Sequence, residues 1–140
     1  MLSKACQYAI KSLIFLGKNR DQGKIPLKSI ADEIDSPPAF TSKILQQPVS
    51  AAVLTSAKGG KGGFEITNHG FFQFTIGNII SLIDGDGLSH GCLLGFPQCS
   101  GVHPCPVHHS YVEIKNKLNH SLFNITINKL ILKNPTGMKL

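Results

Sequence analysis

Apolar residues recur along the first positions at spacings of four and three: Leu2, Cys6, Ala9, Leu13 and Leu16. Such a stripe predicts an amphipathic helix, ending near Gly17. The polar run Lys18 to Lys24 reads as a loop. After Pro26, the positions of Leu27, Ile30, Ala31 and Ile34 predict a short second helix over 27–34. Asp35-Ser36-Pro37-Pro38 is a tight break, with Ser36 as N-cap and proline tolerated in a first helical turn. A third helix over 37–47 turns Phe40, Ile44 and Leu45 inward and leaves Ser42, Lys43, Gln46 and Gln47 outside. Pro48 has no N–H and its ring crowds the preceding turn, so the helix is expected to stop or kink there.

The period changes at Val53. Two strand-like runs, Val53 to Lys58 and Phe64 to Thr67, flank Gly59-Gly60-Lys61-Gly62-Gly63 and predict a β-hairpin with a flexible tip. Thr75 as N-cap, Ile76, Ile79, Ile80 and Ile83 on one face, and Gly85 as terminator predict a fourth helix. A Gly- and Pro-rich stretch from Gly85 to Pro106 follows. Tyr111, Ile114, Leu118 and Leu122 then continue at helical spacing, in a helix that Pro106 would open. The fold expected is mainly α with a small β-hairpin wing: a winged helix-turn-helix plus a long C-terminal helix.

Length and charge narrow the class. At 140 residues with 41% hydrophobic and 16% charged positions, the chain can fold as one domain with an appendage. No apolar run approaches the ~20 residues that span a bilayer. Lys11 interrupts the N-terminal apolar stretch and no small-x-small site follows, so a cytoplasmic protein with no membrane partner is expected. The net charge of +6 fits a polyanionic partner without demanding one. Of the 14 basic residues only Arg20 is an arginine, which nearly removes bidentate arginine–guanine recognition.

In a winged helix-turn-helix the third helix enters the major groove of double-stranded DNA. Ser42, Lys43, Gln46 and Gln47 would then face bases and phosphates, glutamine suiting adenine and lysine suiting guanine or phosphate. Lys58 and Lys61, among glycines that allow close backbone approach, would lie along phosphates or in the minor groove. A generic helical corner with a plain flexible hairpin is the rival reading. A nucleotide-cradling loop fails, because Gly62 and not Ser or Thr follows Lys61.

Cysteine supplies the other chemistry. Cys6 lies on the apolar stripe of the first helix and reads as core, whereas Cys92, Cys99 and Cys105 cluster with spacing C-x6-C-x5-C. Three thiolates with one further ligand suit an iron–sulfur cluster or zinc. The spacing is wider than the usual zinc knuckles and leans towards a cluster held in a loop. His108 is the favoured fourth ligand over His90, His103 and His109, since a first-turn helical residue can point back at a terminal site. Cys105 would sit at the N-terminus of that helix, where the dipole favours its thiolate. Asp84 and Asp86 do not continue into a calcium loop, because Leu88 takes the next ligand position. No paired-carboxylate, HExxH or Ser-His-Asp arrangement stands out, so no enzyme is expected. The alternatives kept open are a DNA-binding regulator with structural zinc or bare redox thiols, and more remotely a thiol redox enzyme.

Taken together, MLSKACQYAI, LKSIADEIDSPPAFTSKILQQ, the wing KGGKGGF and the loop CLLGFPQCSGVHPCPVHH resemble the Rrf-two family of bacterial transcription regulators. That family includes the iron–sulfur cluster regulator and the nitric-oxide sensing repressor. The resemblance implies a homodimer paired through its C-terminal helices. It divides the chain into a DNA-binding domain (1–85), a cluster-binding loop (86–108) and a dimerisation helix with C-terminal tail (109–140). It also implies that Cys92, Cys99, Cys105 and His108 hold an iron–sulfur cluster, 2Fe–2S ahead of 4Fe–4S, which aerobic preparation can strip. Some relatives instead take an acidic ligand from the partner's N-terminal helix; Gln7 stands there and offers no carboxylate. Pro48 and Lys58 replace a leucine and an arginine common in the family.

Overall fold

The computed structural model describes residues 2–133 and 139–140. Helix α1 (Lys4–Lys18) is capped by Ser3, whose hydroxyl accepts the Cys6 N–H at 3.0 Å. It buries Cys6, Ala9, Leu13 and Leu16, the stripe expected from the sequence, and forms the spine of the core. A 3-10 turn (Arg20–Gln22) leads to α2 (Leu27–Glu33). Asp35 takes a left-handed conformation (φ 51°) to turn the chain into α3 (Pro38–Ser50). Ser36 is not the N-cap of α3. Pro37 holds that position, and the Thr41 hydroxyl donates to the buried Ser36 hydroxyl at 2.9 Å, bracing the turn instead.

Pro48 does not stop α3. The helix runs on to Ser50, with the Pro48 ring among the most completely buried side chains. The proline forfeits a single bond near the helix end, and its carbonyl still accepts the Val53 N–H at 2.9 Å. Ala52, left-handed at φ 58°, ends the helix. Phe40 also differs from expectation: it is 39% exposed, its ring edge-on to Tyr8 with centroids 5.9 Å apart.

Strands β1 (Leu54–Ala57) and β2 (Gly63–Ile66) pair antiparallel, with Leu54 opposite Ile66 and Ala57 opposite Gly63. Ile25 bridges Phe64 through bonds of 2.8 and 2.9 Å, which ties the wing to the segment before α2. Lys24 adds contacts to Thr55 (3.3 Å) and Glu65 (3.5 Å) on the two strands. The short α4 (Asn68–Phe72) follows, capped by Thr67. Helix α5 (Ile76–Asp84) starts with a capping box between Thr75 and Asn78 and ends at Gly85, φ 78°.

Beyond a one-turn α6 (Gly87–His90) and the cysteine loop, α7 (His108–Leu122) begins two residues later than Pro106 would place it. Cys105 therefore precedes the helix, and its carbonyl accepts the His108 N–H at 3.0 Å. No residue of α7 is fully buried, and Ile114 is 62% exposed. The chain then returns. Thr126 bridges Thr75, Ile125 accepts the Ile76 N–H at 2.8 Å, and α8 (Ile127–Lys133) packs on α1 and α4. Gly17 makes this docking possible, because a Cβ there would lie 2.9 Å from both Ile127 and Ile131. Ile127 is fully buried.

Candidate nucleic-acid interface and metal centre

Helix α3 turns its core side, Thr41, Ile44, Leu45 and Pro48, towards α1, β1 and α5. The opposite side is left to solvent. Lys43, Gln46 and Gln47 are exposed there and Ser42 is half-buried. Between α3 and the wing lies a groove of about 380 Å³, lined by Ser42, Gln46, Lys58, Gly59 and Phe64 among others. The structure thus brings Ser42, Gln46 and Lys58 to one groove. Lys61 stands exposed at the wing tip, and Lys43 and Gln47 lie on the exposed helix face outside the groove lining. The tip closes through a Gly62 N–H to Gly59 carbonyl bond of 2.9 Å, with Gly59 at φ 99°, a conformation that favours glycine.

Among the described residues the salt bridges are Lys24–Glu65 and Lys28–Asp32, so Lys43, Lys58 and Lys61 are unpaired cations. Arg20 is committed elsewhere. Its guanidinium lies 4.2 Å from the centre of the Phe71 ring and donates to Asn68 Oδ1 at 2.7 Å. Helix α3 carries no acidic residue. The surface that α3 and the wing tip share is therefore cationic, polar and glycine-rich, which suits a phosphate backbone flanked by readable base edges. The sequence reading missed Ala39, exposed in the first turn of α3; an alanine gives no chemical signal until its exposure is known.

The second site is built from turns. Gly95 N–H donates to Cys92 carbonyl (3.0 Å), Cys99 N–H to Phe96 carbonyl (3.2 Å), and Ser100 N–H to His103 carbonyl (3.2 Å). These bonds fold the loop so that the sulfurs of Cys92, Cys99 and Cys105 lie within 4.8 Å of one another. Cys92 and Cys105 Sγ are 3.7 Å apart, and His108 Nδ1 lies 3.2 Å from Cys99 Sγ. Two thiolates on one tetrahedral metal with ~2.3 Å bonds stand about 3.8 Å apart, so the first pair has the spacing of a shared ion. His108 is positioned by being the first residue of α7. His90 instead pairs with Ser89 Oγ at 2.9 Å, and His109 stacks edge-on with His108, centroids 5.3 Å apart. His103 is exposed.

Partial burial pushes the Cys92 thiol up, but backbone N–H groups near Phe96 and Leu94 and the Cys105 and Cys99 sulfurs outweigh it, bringing it to about 7. Cys99 is held above its ordinary value: the backbone at Cys105 lowers it, while burial and the neighbouring sulfurs raise it by more. A thiol ionised near neutrality is ready to ligate a metal. Cys6 is the opposite case. Burial, with the Asp84 carboxylate nearby, pushes its thiol up to about 12. Iodoacetamide on the metal-free, reduced protein is expected to label three cysteines in the native state and the fourth, Cys6, only in denaturant. Native labelling of Cys6, located by peptide mass analysis, would contradict that placement. Because the unfolded Cys6 thiol ionises near 9 and the folded one only near 12, Cys6 favours the fold fully below pH 9 and progressively less above it.

A contact ties the head of α1 to the end of α5. The Ser3 N–H donates to Asp84 Oδ2 at 2.9 Å and the Ser3 hydroxyl donates to Oδ1. Asp84 closes α5 immediately before the segment that carries the cysteines, so the head of α1 is pinned to the root of the loop.

A family model, Rrf2, described as an iron-dependent transcriptional regulator, matches residues 2–133. The chain belongs to the Rrf2 (Rrf-two) family. This Rrf2 chain is 32% identical over 134 residues to an HTH-type transcriptional regulator of Aquifex aeolicus, covering 94% of it and 91% of that relative. It is 22% identical to the HTH-type transcriptional regulator IscR of Cronobacter sakazakii, covering 93% and 79% of the two chains. The Rrf2 fold is that of CymR of B. subtilis, the global cysteine regulator (TM-score 0.78, 19% identity, 96% and 98% covered). It is also that of T. potens IscR (TM-score 0.75, 17% identity, 100% and 93% covered). The winged helix expected from the sequence is thus the fold of the family. Among the described residues no helix is long and apolar enough to cross a membrane.

Proposed function

We propose that the protein is a cytoplasmic, homodimeric DNA-binding regulator that senses redox, iron–sulfur or nitrosative status through a cluster on Cys92, Cys99, Cys105 and His108. The observation that carries this reading is the gathering of three sulfurs within 4.8 Å of one another, with His108 Nδ1 3.2 Å from Cys99 Sγ. The cluster, when bound, supplies iron open to oxidants and nitric oxide. The protein's own part is to gather three thiolates against their mutual repulsion. Without a metal the loop carries either repelling charges or protonated sulfurs, and it loosens.

Residues 1–85 form the reading head in this proposal, with α8 folded back to complete its core; 86–108 form the sensor loop. The stretch from 109 supplies the dimer surface, supported by the exposed Ile114 of α7, with Tyr111 and Leu118 half-buried on the same stripe. Two-fold symmetry then sets two recognition helices on a pseudo-palindromic operator. Loosening of the loop reaches the head through Asp84 and Ser3, a two-state coupling of sensor order to helix spacing.

Anaerobic purification with visible absorption, iron and sulfide analysis tests the sensor; titration of selected against random duplexes tests DNA binding. Removing Lys58 or Lys61 (to Ala) is expected to weaken all duplexes alike and to reduce the log–log salt slope by about 0.9 per lysine. An unchanged slope in both variants would remove the wing from the interface. The second reading is structural zinc, favoured by the 3.7 Å Cys92–Cys105 spacing. It requires a colourless protein with one zinc per chain, whose loop a chelator unfolds.

A further inference from the structure

The exposed face of α3 is polar over most of its length, but its first turn is not. Successive helical residues rotate by about 100°. With Thr41, Ile44, Leu45 and Pro48 buried, the direction pointing most directly away from the core passes through Ala39, Gln46 and Ser50, with Lys43 beside them. Ser42 falls on the wing side, where it lines the groove with Gln46. Phe40 falls on the other flank, against Tyr8. Ala39 therefore stands at the head of the outward line, exposed, and its side chain has nothing to offer but a methyl group. The N-terminal residues of a recognition helix are those that meet base edges. In the major groove one base carries an apolar group, the C5-methyl of thymine, and small apolar side chains are its natural contact.

We propose that Ala39 is a specificity-determining residue that packs its methyl on a thymine C5-methyl, one in each operator half-site. This rests on the DNA-binding reading above. It is the cationic, polar surface formed by the rest of α3 and the wing, with Asp35 the acidic side chain nearest in sequence to Ala39, that selects DNA over a protein surface as the occupant of this apolar spot. Lys43 on the helix and Lys58 and Lys61 on the wing are unpaired, and α3 has no acidic side chain. Gln46, on the same line about two turns further on, suits adenine and would read a neighbouring base pair. Specificity in a protein whose lone arginine is tied to α4 then falls to amide and methyl contacts more than to guanine.

The test is selection of bound duplexes from a random pool by the purified holoprotein, followed by replacement of each thymine of the recovered site, one at a time, with uracil. Uracil pairs as thymine does and lacks only the methyl. The expected result is one thymine per half-site whose replacement weakens binding about fourfold, the worth of one buried methyl, and roughly sixteenfold when both half-sites are changed. Ala39→Gly should bind thymine and uracil duplexes equally, and Ala39→Ser should lose most of the preference while keeping full helicity. Recovered sites indifferent to uracil at every position would overturn the role of Ala39, as would undiminished discrimination by both variants. Failure to recover any preferred sequence would be a different failure, bringing down the DNA-binding reading itself.

Discussion

Replacing Cys105 by alanine is expected to abolish the chromophore of anaerobically purified protein and to reduce bound iron and sulfide to background. Cys105 lies 3.7 Å from Cys92 Sγ, the separation of two sulfurs on one metal. In the proposed cluster its loss would leave two thiolates and His108, with no further cysteine in the loop to replace it. The head should stay folded, since Cys105 is half-buried in the loop and takes no part in the hydrophobic core. Circular dichroism and melting temperature close to wild type, together with lost iron, are therefore the expected combination. His108→Ala should be milder, because water or another histidine of the loop can take a vacant position. A Cys105→Ala protein that retains full iron and colour would remove this residue from the ligand set. Cys6→Ala is the control: its sulfur is buried in α1, so colour should be unaffected.

The largest effect on stability is expected at Ile127, a residue distant in sequence from the helices it supports. It is fully buried where α8 crosses α1 at Gly17. Truncation to alanine leaves a cavity between two helices that cannot close without moving a backbone, at a cost of about 2–5 kcal/mol. For a domain of this size that lowers the melting temperature by on the order of 10 °C. Leu132→Ala, on the same helix but 69% exposed, should stay within about 0.5 kcal/mol of wild type. Equal, small losses for the two variants would mean that α8 does not dock on the head in solution.

Much of the head was legible from pattern alone. The α1 stripe, the break before α3, the glycine-tipped wing and the Thr75 cap each use a local rule, and the structure has each of them as an element. The failures were at places where tertiary packing overrides a local preference. Pro48 ought to end a helix, but with its ring buried in the core the helix continues for two more residues, to Ser50, ahead of the left-handed Ala52. Ser36 is a good capping residue, yet burial directs its hydroxyl to Thr41. Phe40 has a core side chain's chemistry and sits half out of the core, because the helix phase set by Ile44, Leu45 and Pro48 leaves it on the flank. Helices α4 and α6 are too short for a period to declare itself.

The candidate chemistry of this chain is legible in residue type and spacing alone. Three clustered cysteines with a following histidine, a lysine-bearing glycine wing and a polar third helix are matters of residue type and spacing, which survive in any fold that brings them near one another. Which of them meet is set by packing between distant segments. The gathering of the three sulfurs, the 3.2 Å approach of His108 to Cys99, the exposure of Ala39 and the return of α8 onto Gly17 all depend on contacts between residues distant along the chain. Local periodicity carries no information about such contacts, because they are set by how whole elements pack and not by the pattern within any one of them.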